Sequence, residues 1–310
     1  MIDVLKAPPF ATIQDLGRTG YLHAAVPRAG ALDRVALAAA NLLLGNSRDA
    51  AGIEWGLGGG EIRFERDADI ALSGARATAT LDGQPFYVGR AGHVRAGKCL
   101  HVERIDAGAW LYLAVRGGVD VPQVLGSRAT YLPAGFGGQG GRLLRTGDRL
   151  SIGNAPAKSA QLDEVPPELL TIGIDDPIAI IPGPDRDLMS NAGWDWLIET
   201  EFRVSRAVSR MGYRLEAPVS GPALPGDRPS APACVGTIQL PPGGQPIALM
   251  PDGPTVGGYP RAAVVASSDI GRLAQRRPGD PVRFRPIDVA EARARLRRQE
   301  ELLRQLGGSA

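Results

Sequence analysis

The chain has 310 residues, enough for one large or two ordinary domains with a substantial core. Its 44% hydrophobic and 22% charged residues are ordinary for a globular protein, and a formal net charge of +2 gives no electrostatic case for nucleic acid or an anionic membrane surface. The 41 glycines and 26 prolines exceed the usual share and shift the expectation toward many short strands joined by turns.

The opening residues, MIDVLKAPPF, lack the charged-then-apolar pattern of a secretory signal. No apolar run approaches the roughly 20 residues that span a bilayer. Cys99 and Cys234 lie among apolar or strand-like neighbours, so no disulfide framework is expected. A cytoplasmic protein without a membrane partner is the expectation.

Ile2 to Leu5 reads as a strand. Asp33 is placed to cap a helix over Val35 to Leu44, with Gly45 as its stop. That helix is apolar nearly all round, so it should be buried. From Gly56 the pattern is β. Ile62 and Phe64, Ile70 and Leu72, and Leu100 and Val102 alternate with polar residues, and Asp82-Gly83 sits where a hairpin turns. Trp110 to Val115 reads as a buried strand. Gly117 to Gly147 is glycine-rich, and residues 154–167 read as a linker. Ile178 to Ile181 restarts the β pattern. Asp187 to Ile198 is a candidate helix with Trp194 and Leu197 on one side. Asp288 to Leu306 is a helix with Val289, Leu296, Leu303 and Leu306 as its apolar stripe.

Two echoes suggest duplication. Gly141-Arg142-Leu143 with Gly147-Asp148 parallels Gly271-Arg272-Leu273 with Gly279-Asp280. Arg18-Thr19-Gly20-Tyr21 parallels Arg210-Met211-Gly212-Tyr213. The division expected is residues 1–155 as one β domain, 168–286 as a second, and 287–310 as a helical tail.

The richest stretch for chemistry is Gly236 to Pro260. Two apolar runs, Thr237 to Leu240 and Ile247 to Met250, deliver Asp252, Thr255 and Tyr259 to a loop kept open by Gly257 and Gly258. Gln239 and Gln245 complete one wall of a candidate site. Arg210 and Arg214, beside Gly212-Tyr213, have the forked geometry that holds a carboxylate or carboxamide. Asp15 and Arg18, with Asp33 nearby, form a second polar group. A carboxylate there can accept from an amide or act as a base. The alternative for these charges is a lattice of buried salt bridges between loops. The front and back groups are expected to converge on one cleft.

Other chemistries find little support. Gly135 to Gly141 lacks the Lys-Ser/Thr of a phosphate loop, so a mobile or close-packed loop fits it better. His23, His93 and His101 show no metal spacing, and Cys99 with His101 is better read as packing, so no metal is expected. No Gly-x-Ser-x-Gly elbow is present.

The same stretches resemble one family, that of the 5-oxoprolinase C component, also known as KipA, allophanate hydrolase subunit 2 or biotin-dependent carboxyltransferase. The resemblance lies in Thr12 to Gly20, Ala29 to Asp33, Ala40-Asn41, Gly45-Asn46, Gly126 to Arg128 and Gly147-Asp148. It continues in Arg210 to Glu216, Gly236 to Gln239, Gly257 to Pro260, Gln275 and Pro278 to Asp280. It implies a mainly β protein of two cyclophilin-like β-barrel domains, with a few short helices and a C-terminal one. It implies two partner chains, a KipI-like B component and a LamB/YcsF-like A component. With them, 5-oxoproline is opened to glutamate at the expense of ATP, and the substrate is a small amide or lactam. Asp252, Thr255, Tyr259 and Asp15 would then be catalytic. Arg18, Arg210, Arg214, Gln239, Gln245, Gly257 and Gly258 would bind substrate. The alternatives are a carboxyltransferase that receives biotin on another protein and acts on urea or an amide, or a non-catalytic antagonist of a KipI-like inhibitor. Val208-Ser209, Ser230-Ala231-Pro232 and Gly243-Gly244 depart from the family pattern, which removes two acidic groups near the expected site.

Overall fold

The computed structural model describes residues 1–156, 163–170, 176–222, 224 and 229–308. It divides into two compact units, Met1–Thr19 with Ala29–Ile172 and Gln299–Ala310, and Gly20–Arg28 with Gly173–Arg298. These contacts redraw the expected division at 1–155, 168–286 and 287–310. Residues 163–170 are not a detached linker: Val165 and Leu169 are buried with Ala40, Leu43 and Leu44 of the first unit. The end of the C-terminal helix belongs there too, because Leu303 and Leu306 enter the same cluster.

The first unit carries β1 (Ile2–Lys6), β2 (Thr12–Gln14), β3 (Gly52–Gly56), β4 (Gly60–Phe64), β5 (Ala68–Leu81), β6 (Gln84–Pro85), β7 (Ala91–Val94), β8 (Cys99–Val115), β9 (Val119–Asp120) and β10 (Arg149–Ile152). Along the sheet the order is β2-β3-β8-β4-β1-β10-β9, with β5 on the other edge of β8. The 17-residue β8 is the spine. Its first half pairs with β4 and its second with β3, while β5 follows it throughout. At the far end of the path the Val119 amide donates to the Ala51 carbonyl at 2.8 Å, which nearly closes the sheet into a barrel. Asp82 and Gly83 turn the hairpin between β5 and β6 with φ of +51° and +77°, the left-handed pair that a two-residue primed turn requires.

Both faces of this sheet are covered, which explains its apolar strands. Leu72 and Leu113 join Ile13, Ile53 and Trp55 in the barrel core. Their neighbours Ala71 and Ala114 face Ala38, Ala39 and Ala40 of helix α1 (Arg34–Leu42). Asp33 caps α1, its Oδ1 accepting from the Ala36 amide at 3.0 Å.

The second unit carries β11 (Ile178–Pro182), β12 (Phe202–Ser209), β13 (Gly212–Glu216), β14 (Ala231–Pro232), β15 (Thr237–Gln239), β16 (Ile247–Leu249), β17 (Val256–Gly257), β18 (Arg261–Val265), β19 (Pro281–Val282) and β20 (Phe284–Pro286). Eight of these run β19-β12-β13-β16-β15-β18-β11-β20. The two end strands are separated only by Arg283, so one short stretch of chain occupies both edges and the sheet has almost no open edge. β14 and β17 form a small ribbon of their own. Helix α2 (Asn191–Glu199) begins later than the expected Asp187, because Ser190 supplies the cap and Arg186–Leu188 is a separate turn. Its Trp196 stacks edge-on against Phe202, with ring centroids 5.3 Å apart. Helix α3 is short (Ile270–Ala274), and α4 spans Val289–Gly307. Only half of the expected α4 stripe is buried: Leu303 and Leu306 are covered, whereas Val289 and Leu296 are exposed.

The Gly-Asp echo is a repeated turn. In the first unit the Arg145 amide donates to Asp148 Oδ2, Gly147 N donates to Val4 O, and Val4 N donates to Asp148 O. In the second, Arg277 N donates to Asp280 Oδ2, Gly279 N to Val204 O, and Val204 N to Asp280 O. Gly147 and Gly279 share a φ near +90°, a conformation that only glycine adopts without strain.

Candidate functional site

In the second unit, β15 and β16 pair as an antiparallel hairpin, with Ile238 opposite Ala248. The chain then enters the loop that holds Asp252 to Pro260. Asp252 does not face solvent. Its carboxylate is 1% exposed and takes both arms of the Arg210 fork, Nε to Oδ2 at 2.9 Å and Nη2 to Oδ1 at 3.0 Å. The Asp252 amide also donates to the Arg210 carbonyl at 3.0 Å. The pair therefore clamps the β12–β13 turn to the 250–253 loop. The expected roles of Asp252 as an acid or base and of Arg210 as a substrate anchor meet a carboxylate and a guanidinium that already hold each other. Gln245 is likewise engaged, its Oε1 accepting from the Ala217 amide at 3.2 Å.

The other expected residues are differently placed. Arg214 lies on the exposed face of β13, between buried Tyr213 and Leu215, and makes no ion pair among the described residues. Tyr259 is 42% exposed, and Thr255 is half-buried on the same loop. Gln239 is 4% exposed, and its Nε2 has no hydrogen-bond partner among the described residues. That nitrogen lies against Gly257: a Cβ on Gly257 would come within 2.5 Å of it. The structure thus brings Gln239 and Gly257 together, and Arg210 and Asp252 together. It leaves Arg214, Thr255 and Tyr259 with hydrogen-bonding capacity still open.

Sequence reasoning missed Asp185 and Arg261. Asp185 accepts from the Arg261 amide at 2.9 Å and from Arg261 Nε at 2.8 Å, while Arg261 Nη1 donates to the Pro232 carbonyl at 2.9 Å. The hydrogen bond to Asp185 holds the Arg261 guanidinium above its ordinary range. This bracket ties β18 to the ribbon of β14 and β17, and Arg261 is itself paired in register with Gln239. Its only sequence signal is that Arg261 follows Gly257-Gly258-Tyr259-Pro260.

In the first unit Asp15 is an organiser of loops. Its Oδ1 accepts from the Gly17 amide and from Ser127 Oγ, both at 2.7 Å, and its Oδ2 accepts from the Arg128 amide at 2.6 Å. Arg18, 2% exposed, donates from Nη2 to the Ala129 carbonyl at 2.6 Å and lies over the Phe136 ring. The two side chains thus fix the segment from Ser127 to Ala129. The third residue of that sequence group, Asp33, is occupied by the α1 cap. Its backbone N–H donates to Tyr112 Oη at 2.8 Å, and Tyr112 donates to Glu54 at 2.9 Å. Burial, with the charges of Glu54 and Asp33, pushes the Tyr112 hydroxyl well above its usual range, so it stays a neutral donor. The glycine-rich segment is close-packed at Gly137, Gly138 and Gly141 and open at Gly135 and Gly140. A Cβ at Gly138 would overlap Thr130 Oγ1, and one at Gly141 would overlap the Gly135 carbonyl. An open cavity lies beside it, lined by Pro122, Val124, Phe136, Gln139 and Arg142.

The carboxyltransferase domain family, subdomains A and B, matches residues 24–286. The Escherichia coli 5-oxoprolinase C component is 37% identical over 306 residues, 99% of this chain and 97% of that protein. Its Haemophilus influenzae counterpart is 36% identical over 97% of this chain and 96% of its own length. Among solved structures, Kluyveromyces lactis urea carboxylase superposes with a TM-score of 0.91 at 30% identity, covering 97% of this chain but only 29% of that one. Full-length identity at this level, over a fold that also superposes throughout, leads to one conclusion: the chain belongs to the carboxyltransferase-domain family that includes the C component of bacterial 5-oxoprolinase.

Proposed function

We propose that this protein is the C component of an ATP-dependent 5-oxoprolinase, a hydrolase complex that opens the lactam of 5-oxoproline to glutamate. The observation that carries this reading is the 37% identity that runs end to end along the E. coli C component. The chain works with a KipI-like B component and a LamB/YcsF-like A component. ATP is handled elsewhere in the complex, which agrees with the lack of a phosphate-loop Lys-Ser/Thr after the Gly135–Gly141 stretch. The two free thiols, Cys99 and Cys234, favour a cytoplasmic setting.

Within this chain, the ligand-facing set is Thr255, Tyr259, Gln239 and Arg214, beside the glycines 257 and 258. Arg210 and Asp252 hold that loop in place, and Gln245 fixes the hairpin below it. Asp15 and Arg18 act as positioning residues for the loops of the first unit. A lactam offers one N–H donor and one C=O acceptor, and its ring opening gathers negative charge on that oxygen. Fixed donors on a loop suit it. A second reading, carboxyl transfer to urea or a related amide from biotin carried on another protein, is favoured by the match to K. lactis urea carboxylase.

One experiment separates them. The purified chain is combined with its A and B components, ATP and 5-oxoproline, and phosphate and glutamate are measured. Stoichiometric release of both supports the oxoprolinase. Absence of both with all components folded, together with carboxylation of urea when a biotinylated carrier is supplied, supports the transferase.

A further inference from the structure

Within the candidate site, Gln239 is the group whose position opposes stability without a visible structural role. It sits at the end of β15 with all three residues of the strand, Thr237, Ile238 and Gln239, buried. Ile238 and Thr237 are accounted for by the core and by the Cys234 amide, which donates to Thr237 Oγ1 at 3.2 Å. The Gln239 carboxamide is hydrogen-bonded at neither atom among the described residues. Its Nε2 is fully buried as well, and a buried donor left without an acceptor is destabilising.

Nε2 is covered by a glycine of a short ribbon. Nε2 abuts Gly257, where any side chain would intrude at 2.5 Å. Gly257 belongs to β17, which pairs with β14 at Ala231 with Gly257 and Pro232 with Val256, and the Ala233 amide extends this short ribbon by donating to the Thr255 carbonyl at 2.9 Å. Gly257 has no left-handed φ, so its backbone does not require glycine; the space beside Gln239 does. The Arg261 bracket holds the base of this ribbon through Pro232 and leaves its tip, Val256 to Tyr259, exposed or half-buried.

We infer that the Gln239 carboxamide is the recognition element for a cis N–C=O edge, the edge shared by lactams and by urea, which it meets when the β14–β17 ribbon steps back at Gly257. A primary carboxamide presents one donor and one acceptor side by side. A lactam ring locks its own N–H and C=O on one side, so the two edges form a closed pair of hydrogen bonds, Nε2–H to the lactam oxygen and lactam N–H to Oε1. A carboxylate has no donor to return, and an ordinary trans amide places its N–H and C=O on opposite sides. Selectivity then follows from the partner left unpaired in the wrong complex. This inference rests on the reading of the 237–260 region as the ligand site of an amide-handling protein, and it names the residue that selects the substrate edge.

The test uses the full chain and direct binding, so it does not depend on turnover. The probes are 2-pyrrolidinone, 5-oxoproline, urea and N-methyl-2-pyrrolidinone, titrated while the Gln239 side-chain amide signals are followed by ¹⁵N NMR. The expected result is a saturable shift of those signals with a probe carrying the cis edge, and binding at least about tenfold weaker for the N-methylated lactam. Gln239→Leu removes the unpaired amide at similar volume. It should melt about 2–4 °C higher than wild type while losing tenfold or more in affinity. Gly257→Ala displaces only the tip of Gln239 and should lose affinity with the fold intact. The inference is overturned if no probe moves the Gln239 signals, if the N-methylated lactam binds equally well, or if Gln239→Leu binds like wild type. Turnover of 5-oxoproline by a complex containing Gln239→Leu at wild-type KM would sink this inference and leave the oxoprolinase assignment standing. Gln239-dependent binding of urea or 2-pyrrolidinone without any oxoprolinase turnover would do the reverse.

Discussion

Replacing Asp252 by alanine removes the acceptor for both arms of the Arg210 fork. The Asp252 and Arg210 side chains are 1% and 9% exposed, so water cannot replace the lost partner. Removing one partner of a buried ion pair costs about 3–5 kcal/mol, and the backbone bond from the Asp252 amide to the Arg210 carbonyl survives the substitution. We therefore expect Asp252→Ala to lose about 3–5 kcal/mol, read as a lowered urea midpoint of tryptophan fluorescence. Arg210→Met should lose a similar amount, because it strands the carboxylate instead. The double variant Arg210→Met/Asp252→Leu removes both charges together. It should recover at least about 2 kcal/mol relative to the sum of the single variants, since an apolar pair of similar volume is often no worse than a buried ion pair. Loss of less than about 1 kcal/mol in Asp252→Ala, or strict additivity in the double variant, would refute the clamp. The carboxylate would then be open to a chemical role.

The remaining expectations concern the first unit. Asp15→Ala removes three acceptor contacts from the loops at Gly17 and Ser127-Arg128, so hydrogen exchange at the Arg128 amide should accelerate by about tenfold or more. Gly138→Ala pairs a left-handed φ with an overlap on Thr130 and should cost about 2–4 kcal/mol. Gly140→Ala, also left-handed but facing open space, should cost only about 1 kcal/mol in the same denaturation assay. Asp148 is held below its ordinary carboxylate range, first by its hydrogen bond to Arg142. Its folded value lies below its unfolded value. The stability it contributes is therefore complete above about pH 4 and is lost as acid titrates the folded carboxylate. Thermal midpoints of wild type should fall more steeply from about pH 4 to about pH 2 than those of Asp148→Asn.

Much of the fold was legible because local chemistry decided it. The Asp82-Gly83 hairpin, the Asp33 cap and the repeated Gly-Asp turn each depend on conformations or bonds reached within a few residues. The start of α2 was misplaced because Asp187 lies inside a separate turn, Arg186–Leu188, and Ser190 supplies the cap three residues later. The α4 stripe was half wrong for a different reason. Helical periodicity marks a face, but whether Val289 and Leu296 are covered depends on what lies opposite.

By itself the sequence determined the β class, the positions of the turns, the family, and which residue types crowd the Gly236 to Pro260 stretch. Only the tertiary structure decided which of those polar groups are already engaged. Arg210 meets Asp252 across 42 positions, and Asp15 meets Arg128 across 113. A side chain's chemistry is written in its own residue, but its hydrogen-bonding capacity is taken up by whatever neighbour the fold delivers. That is why the residue type of Asp252 suggests an acid or base while its carboxylate is already held by Arg210, and why the unpartnered Nε2 of Gln239 is visible only in the fold.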